Sequence, residues 1–217
     1  MNCDFVDYFS GPNLGREFYD KKVTESNCRV ITGQLFEQLS LNLIMGAKQN
    51  PGNPDCVDFT SGENMFEVKS GRKALMIDNG QLERYIELEN NEFRNIFYVF
   101  YCYSGIDFKG CKIWDYIKTA CATINRCIIV PARVVYAAEI KKYHYGKWAL
   151  YGREFYHLMN RNQYCCMANG YSDIIFNTNG RRIFRIRDFQ FIKWKVKSFF
   201  VEIYSAVPQL KPERIAK

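Results

Sequence analysis

The sequence lacks the features that define several large classes of protein. Its longest apolar runs, residues 96 to 103 and 127 to 132, are far shorter than the roughly 20 residues of a membrane-spanning helix. Its first residues have neither a basic lead-in nor an apolar block ending in small residues, so no secretory signal is expected. No linker-like bias in Pro, Ser or Gln and no internal repeat occurs. We expect a folded intracellular protein, cytoplasmic, or nuclear in a eukaryote, with no membrane association.

Histidine and cysteine motifs for metal binding are also scarce. Only two histidines occur, His144 and His157, and no Cys-x-x-Cys motif is present. A structural zinc site would therefore need ligands scattered along the chain. The nine cysteines are odd in number, and with no sign of export we interpret them as reduced thiols.

Charge is unevenly distributed along the 217 residues. Residues 1 to 130 contain 14 Lys and Arg against 17 Asp and Glu, whereas residues 131 to 217 contain 16 against 6. Such a local basic excess is typical of a protein that binds a polyanionic partner, because Lys and Arg displace counterions from phosphates. A solvated surface that keeps the protein soluble explains the same charge equally well.

The first half of the sequence predicts a helix, a hairpin, a second helix and a buried strand. Apolar residues at helical spacing predict a helix from about Thr32 to residue 44. Short alternating runs on either side of residues 61 to 64 predict the hairpin, and Asp78 can cap a helix over residues 81 to 90. The β-prone run over residues 95 to 103 predicts a central strand buried on both faces.

The second half gives a weaker pattern. Residues 113 to 125 and 148 to 161 are predicted to be helical, and residues 127 to 138 are predicted to contain a strand broken at Pro131. This half is therefore a mixed region attached to the first.

The second strand of the predicted hairpin contains candidate catalytic residues. In Phe66-Glu67-Val68-Lys69, alternation directs Glu67 and Lys69 to the same face. If Gly62-Glu63 forms a two-residue turn, Asp58 lies opposite Glu67, with Cβ atoms roughly 5 Å apart. Two such acids repel each other unless a cation lies between them, and Mg²⁺ usually takes one or two carboxylates together with water and phosphate oxygens. A nearby ammonium can position water and stabilise a charged phosphate.

These residues resemble the split signature of the PD-(D/E)XK nucleases. Asn53-Pro54-Asp55 is followed after eleven residues by Glu67-Val68-Lys69-Ser70. The layout is most similar to archaeal Holliday-junction resolvases and restriction-type endonucleases, and it covers about residues 30 to 105. The resemblance implies an α/β fold with a central mixed sheet flanked by helices. Its restriction-endonuclease-like core would span residues 28 to 105, between an N-terminal extension of residues 1 to 27 and a basic mixed α/β extension of residues 106 to 217 for DNA binding or dimerisation.

The resemblance also implies an activity. It is Mg²⁺-dependent hydrolysis of DNA phosphodiesters inside the strand, with Mn²⁺ as a substitute, carried out by a homodimer without a small-molecule cofactor. Glu67 would hold the metal and Lys69 would activate water. Glu37, on the preceding helix, would complete the acid cluster, and Gln81, which opens the following helix, would support the site.

The second metal ligand is open between two acids. The spacing in the family favours Asp55, whereas strand alternation favours Asp58, because Val57 and Phe59 then join the core face. We retain both as candidates and give the family spacing a slight preference.

Basic residues provide the predicted DNA-binding surface. Residues 182 to 187 alternate basic and less polar side chains, a pattern suited to tracking phosphates and also found in charged edge strands. The residues predicted to bind nucleic acid are Arg72, Lys73, Arg181, Arg182, Arg185, Arg187, Lys193 and Lys195. The alternative function is a non-catalytic nucleic-acid-binding protein that retains the nuclease fold.

Overall fold

The computed structural model describes residues 19–50, 57–72, 74–92, 95–104, 110–137, 142–143 and 147–151. Within these ranges the chain forms an α/β fold in which a mixed five-stranded sheet is flanked by helices. The predicted fold class is confirmed at this level. None of the described helices has the length and apolar character that crossing a bilayer requires.

The elements form two sheets and the helices around them. The helices are α1 (Glu25–Leu43), α2 (Asn79–Glu92), α3 (Ile113–Ala122) and α4 (Ala132–Ala137). The strands are β1 (Lys48–Gln49), β2 (Phe59–Ser61), β3 (Asn64–Gly71), β4 (Ala74–Asp78), β5 (Asn95–Tyr103), β6 (Ile124–Pro131), β7 (Lys142–Tyr143) and β8 (Lys147–Tyr151). The larger sheet has the order β1-β2-β3-β5-β6, and the smaller one has the order β4-β8-β7.

Helix α1 begins at Glu25, so the predicted start near Thr32 is wrong. Thr24 caps the helix by accepting a 3.3 Å hydrogen bond from the Asn27 amide, while Asn27 Oδ1 accepts a 2.7 Å bond from the Thr24 amide. Thr32 lies inside the helix, where its hydroxyl donates to the Cys28 carbonyl across 2.6 Å. This reciprocal cap starts the helix earlier than the apolar pattern predicts. The helix then continues through Gly33, although a glycine inside a helix costs about 1 kcal/mol relative to alanine.

Strands β2 and β3 form the predicted hairpin. Ser61 pairs with Asn64, which leaves Gly62 and Glu63 as a two-residue turn. Gly62 has a φ of 61°, a left-handed conformation that glycine adopts without a steric penalty. The turn length on which the predicted pairing of the site acids depends is therefore confirmed.

Strand β5 occupies an internal position in the larger sheet, parallel to β3 and antiparallel to β6. Phe97 and Val99 face a core that includes α1 and α3, whereas Tyr98 and Phe100 face a core that includes α2 and α4. The burial on both faces predicted from the apolar run over residues 95 to 103 is confirmed. With β6, the sheet extends beyond residue 105.

Strand β4 leaves the larger sheet at a sharp corner after β3, and no pattern in the sequence predicted it. Gly71 makes this corner possible, because a Cβ at that position would be 2.1 Å from the carbonyl oxygen of Ala74. Strand β4 leads directly into α2. The corner therefore brings the first turn of α2 back to β3.

Strand β8 pairs with β4, with Ala74 opposite Tyr151 and Asp78 opposite Lys147. The helix predicted over residues 148 to 161 is therefore wrong for residues 148 to 151, where backbone pairing with β4 favours a strand rich in β-prone residues. The rest of that predicted helix and residues 152 to 217 of the basic extension lie outside the described ranges.

Candidate active site

Glu67 is a buried carboxylate in the middle of β3, with only 4% of its surface exposed. Its Oε1 accepts hydrogen bonds from Lys69 Nζ and, across 3.0 Å, from Gln81 Nε2. Its Oε2 accepts a 2.7 Å hydrogen bond from the Tyr85 hydroxyl. Burying a carboxylate is costly unless it is paired and hydrogen-bonded. The donors around Glu67 meet that requirement.

Lys69 lies two residues after Glu67 on the same strand. As alternation predicts, Phe66 and Val68 point to the opposite face and pack in the core beneath α1. Lys69 is partly exposed and forms an ion pair with Glu67. The sharing of one face by the two charged residues is confirmed.

Asp58 directly precedes β2, whose register with β3 begins at the pair Phe59 and Phe66. Val57 packs in the core that includes α2 and Phe59 in the core that includes α1, so the prediction that both join one core face is wrong, because the strand begins only at Phe59. Asp58 Oδ2 accepts a 2.6 Å hydrogen bond from the Val68 amide, which holds the side chain against β3. The same residue's carbonyl accepts a 3.0 Å bond from the Asn50 amide.

Burial, followed by the negative charge of Glu67, raises the pKa of Asp58 to about 7. The Val68 amide and the Lys69 ammonium oppose this rise, whereas Glu37 contributes to it. The negative charge of Glu67 thus disfavours the ionised form of Asp58. The competing candidate, Asp55, lies outside the described ranges.

Glu37 joins the same electrostatic cluster from α1. Burial and the charge of Glu67 raise the pKa of its carboxyl, and Lys69 lowers it. Gly33, one turn earlier, adjoins this carboxyl, because a Cβ on it would be in ordinary van der Waals contact with Glu37 Oε1, at 4.0 Å. The structure therefore brings the predicted helix acid into the field of the hairpin acids.

Helix α2 contributes Gln81, as predicted, and Tyr85, which the sequence analysis missed. Asp78 Oδ1 accepts a 3.0 Å hydrogen bond from the Gln81 amide, so the predicted cap at the start of this helix is confirmed. Gln81 Nε2 also donates to the Tyr85 hydroxyl across 2.9 Å. The spacing of four residues from Gln81, which puts both side chains on one helix face, was the signal that could have identified Tyr85.

Burial and the nearby Glu67 raise the pKa of the Tyr85 hydroxyl. The phenol therefore stays protonated at neutral pH and remains a hydrogen-bond donor. It presents this donor to the carboxylate of Glu67, which has strong acceptor oxygens.

A second tyrosine, Tyr98, lies beside Glu67 on β5. The two residues are register partners in adjacent parallel strands. The Tyr98 hydroxyl is buried and makes no hydrogen bond to any part of the chain that the structure describes. Its burial raises the pKa of the phenol, which is thus a neutral group beneath the acid cluster.

Of the basic residues predicted to contact nucleic acid, Arg72 is the one that lies within the described ranges. Arg72 is exposed directly after β3. The others lie outside the described ranges: Lys73, Arg181, Arg182, Arg185, Arg187, Lys193 and Lys195.

The donor set suits a hard divalent cation. In the described ranges, no three His, Cys, Asp or Glu side chains converge closely enough to enclose a metal ion by themselves. Mg²⁺ does not need such a cage, because it usually binds one or two carboxylates and keeps several waters. Asp58 and Glu67 provide two oxygen ligands whose mutual repulsion a cation would relieve.

Comparisons with protein-family models, with curated proteins and with solved structures found no match for this chain. The function is therefore inferred from the site and from the pattern of its residues.

Proposed function

We propose that this protein is a Mg²⁺-dependent endodeoxyribonuclease of the PD-(D/E)XK type, of the resolvase, restriction or homing kind. The observation that carries the proposal is the meeting of Asp58, Glu67 and Lys69 at one hairpin. Gln81 and Glu37 come to the same cluster from two helices, which agrees with the layout found in many members of the family. An ordered set of five residues, from two helices and both sides of one hairpin, is far more specific than a Glu-x-Lys strand motif alone.

The elements that carry these residues support a restriction-endonuclease-like core. A helix with Glu37, a hairpin with Asp58 and Glu67, and a helix with Gln81 precede a parallel central strand. This is the order in which the family resemblance requires them. Site residues therefore come from successive elements that converge on one region.

Asp58 and Glu67 would hold Mg²⁺, or Mn²⁺ in its place. The bound cation supplies a more acidic water and charge neutralisation on the phosphate. Lys69 directs its ammonium toward the same carboxylate, where it can orient the attacking water and stabilise negative charge on the phosphate oxygens. Gln81 and Tyr85 hold the Glu67 carboxylate in one orientation through their hydrogen bonds.

DNA is the proposed substrate because residues 131 to 217 contain 16 Lys and Arg against 6 Asp and Glu. Of this portion, strand β8 is connected to the site by its backbone pairing with β4. Strand β4 lies between Lys69 and Gln81 along the chain, and Tyr151, the last residue of β8, is opposite Ala74. We propose a homodimer, because cutting both strands of a duplex requires two centres.

The test is incubation of the purified protein with Mg²⁺ and four DNA substrates: plasmid, linear duplex, single strand and four-way junction. We expect cleavage that EDTA abolishes and that Mn²⁺ restores. The Glu67→Gln variant should be inactive on every substrate but should still bind DNA. The matched control is Glu89→Gln, because Glu89 is an equally buried glutamate whose partners are the Ile96 amide and Arg133.

The two glutamate variants separate a catalytic role from a structural one. Glu89→Gln should lower the melting temperature and leave the cleavage rate of the folded protein unchanged. If both variants lose cleavage only in proportion to their loss of folded protein, Glu67 is a structural residue and the nuclease assignment fails.

A non-catalytic nucleic-acid-binding protein with this fold is the second candidate. The observation that favours it is the three hydrogen bonds that protein groups donate to Glu67, which stabilise the carboxylate without any cation. In that case DNA binding is metal-independent and sensitive to salt, and no substrate in the panel is cut.

A further inference from the structure

We infer that Lys69 is a built-in substitute for the divalent cation: its ammonium binds Oε1 of Glu67 in the metal-free protein and has to leave when a cation binds to that oxygen, which frees the ammonium for a substrate phosphate. This inference rests on the proposed function, because it concerns the same site. It adds an order of events and a coupling between metal and phosphate binding, neither of which follows from the residue pattern.

The first support is the occupancy of the Glu67 oxygens. Oε1 accepts from both Lys69 and Gln81, and Oε2 accepts from Tyr85. A carboxylate oxygen offers about two acceptor sites. Oε1 therefore has both of its sites in use, and a cation can bind there only if one donor leaves.

The second support is the difference in freedom among the donors. Tyr85 is 2% exposed and packs in the core beneath α2. Gln81 is held at the start of α2, where its amide donates to Asp78 Oδ1. The Lys69 side chain is 23% exposed, against 5% for Glu67. Lysine has a flexible four-carbon stem and can move into solvent, so it is the donor that can leave.

The third support is the balance of charge. The carboxyl groups of Glu37, Asp58 and Glu67 interact with one another, and Lys69 is the cation that interacts with both Glu37 and Asp58. One ammonium leaves an excess of negative charge when all three acids are ionised. A divalent cation compensates this charge better and repels the ammonium at short range.

Two consequences follow for ligand binding. A cation must compete with Lys69, so the wild-type protein binds it more weakly than the carboxylates alone would. The displaced ammonium is then available to a phosphate oxygen, so cation and phosphodiester should bind cooperatively. Such a coupling is reciprocal, because each ligand raises the affinity for the other by the same factor.

The test measures Mn²⁺ binding directly, by the loss of the electron paramagnetic resonance signal of the free ion. The proteins are the wild type, Lys69→Met and Lys48→Met. Methionine keeps the apolar stem of lysine without its charge. Lys48 is the matched control because it is an exposed lysine on β1 of the same sheet.

We expect Lys69→Met to bind Mn²⁺ at least about fivefold more tightly than the wild type, the factor for an ion pair worth about 1 kcal/mol. Lys48→Met should match the wild type.

Thermal unfolding gives a second readout that does not depend on activity. Without metal, Lys69→Met should melt below the wild type, because the buried Glu67 loses a counterion. Added Mn²⁺ should raise its melting temperature more than that of the wild type. Lys69→Gln, which restores a neutral donor, should lie between the two in both measurements.

The outcomes distinguish this inference from the proposed function. Equal or weaker Mn²⁺ binding by Lys69→Met overturns the displacement of Lys69. The metal site itself still stands in that case if the wild type binds Mn²⁺ and Glu67→Gln does not. If no protein in the series binds Mn²⁺, both the displacement and the metal site are rejected.

Discussion

The Tyr85 hydroxyl donates a 2.7 Å hydrogen bond to Oε2 of Glu67, and this bond joins helix α2 to strand β3 at the candidate active site. Because Gln81 donates to both groups, the three side chains form a closed hydrogen-bonded set. The orientation of the Glu67 carboxylate therefore depends on α2 as much as on its own strand.

Tyr85→Phe removes the donor to Glu67 and leaves the aromatic ring in the core. Partners that orient metal ligands typically contribute about 10- to 100-fold to metal affinity or activity. We therefore expect cleavage to fall by about that factor, with weaker Mn²⁺ binding and a cooperative melting transition. Kinetics and Mn²⁺ titration of the same samples measure both effects. Tyr136→Phe is the control, because Tyr136 is 48% exposed on α4. Wild-type kinetics and Mn²⁺ affinity in Tyr85→Phe would rule out a positioning role.

Asp58 should make the stability of the metal-free protein depend on pH. Its pKa is raised from 3.8 to about 7, so the folded protein binds this proton more tightly than the unfolded chain does. The stabilisation that this proton provides has its full value below about pH 4 and is lost as the pH rises through about 7. Asp58→Asn keeps an acceptor for the Val68 amide and carries no charge.

In EDTA, the melting temperature of Asp58→Asn relative to the wild type should therefore increase between about pH 4 and 7 and then level off. Circular dichroism melts at half-unit pH steps measure this difference. Glu63→Gln, in the exposed turn of the same hairpin, is the control and should show no such trend. A difference that stays constant over the whole range is the contrary result.

Asp55→Asn and Asp58→Asn should differ sharply in cleavage, because only the acid that faces Glu67 can share its cation. The hydrogen bond that Asp58 accepts from the Val68 amide, and the electrostatic interaction of Asp58 with Glu67, favour Asp58. We therefore expect Asp58→Asn to be inactive with Mg²⁺ and Asp55→Asn to retain activity. Steady-state cleavage assays over a range of Mg²⁺ concentrations decide between them. Equal and mild effects from both would show that the hairpin is not the site.

Alanine substitution at two glycines should change the stability of the protein in opposite directions. At Gly71 a Cβ would lie 2.1 Å from a backbone oxygen, so Gly71→Ala should cost about 1 to 3 kcal/mol of stability and disturb the corner between β3 and β4. At Gly33, inside α1, the nearest atom is 4.0 Å from the added Cβ. Gly33→Ala should therefore stabilise the protein by up to about 1 kcal/mol. Urea unfolding measures both, and the same sign for the two variants would contradict the geometry.

Arg185 and Arg187 lie outside the described ranges, and their predicted role comes from the sequence pattern. Each phosphate contact on duplex DNA contributes about 0.9 to the slope of log affinity against log salt. Neutralising both residues should flatten the slope by up to about 2, similarly for all DNA sequences. Fluorescence anisotropy over a salt series measures this. Neutralising Arg29 and Lys118, which are exposed on α1 and α3, is the matched control. An unchanged slope in the Arg185 and Arg187 variant means that DNA is held by another surface.

The sequence alone determined the parts of the site that depend on local periodicity. Alternation in β3 directed Glu67 and Lys69 to one face, and the alternating runs predicted the hairpin that ends in a two-residue turn. The apolar run over residues 95 to 103 predicted the internal strand, and Asp78 predicted the start of α2. Each of these features depends on residues close together in the chain, where side-chain direction follows from a period of 2 or 3.6.

Only the tertiary structure decided the features that join distant segments. Strand β4 leaves the larger sheet to pair with β8, a pairing across some 70 residues that no local pattern encodes. The same packing brings Tyr85 to Glu67 and Glu37 into the field of the hairpin acids. Periodicity gives the face of an element on which a side chain lies. The partner that it meets there depends on long-range strand pairing and on the packing of both cores, and these are properties of the whole fold.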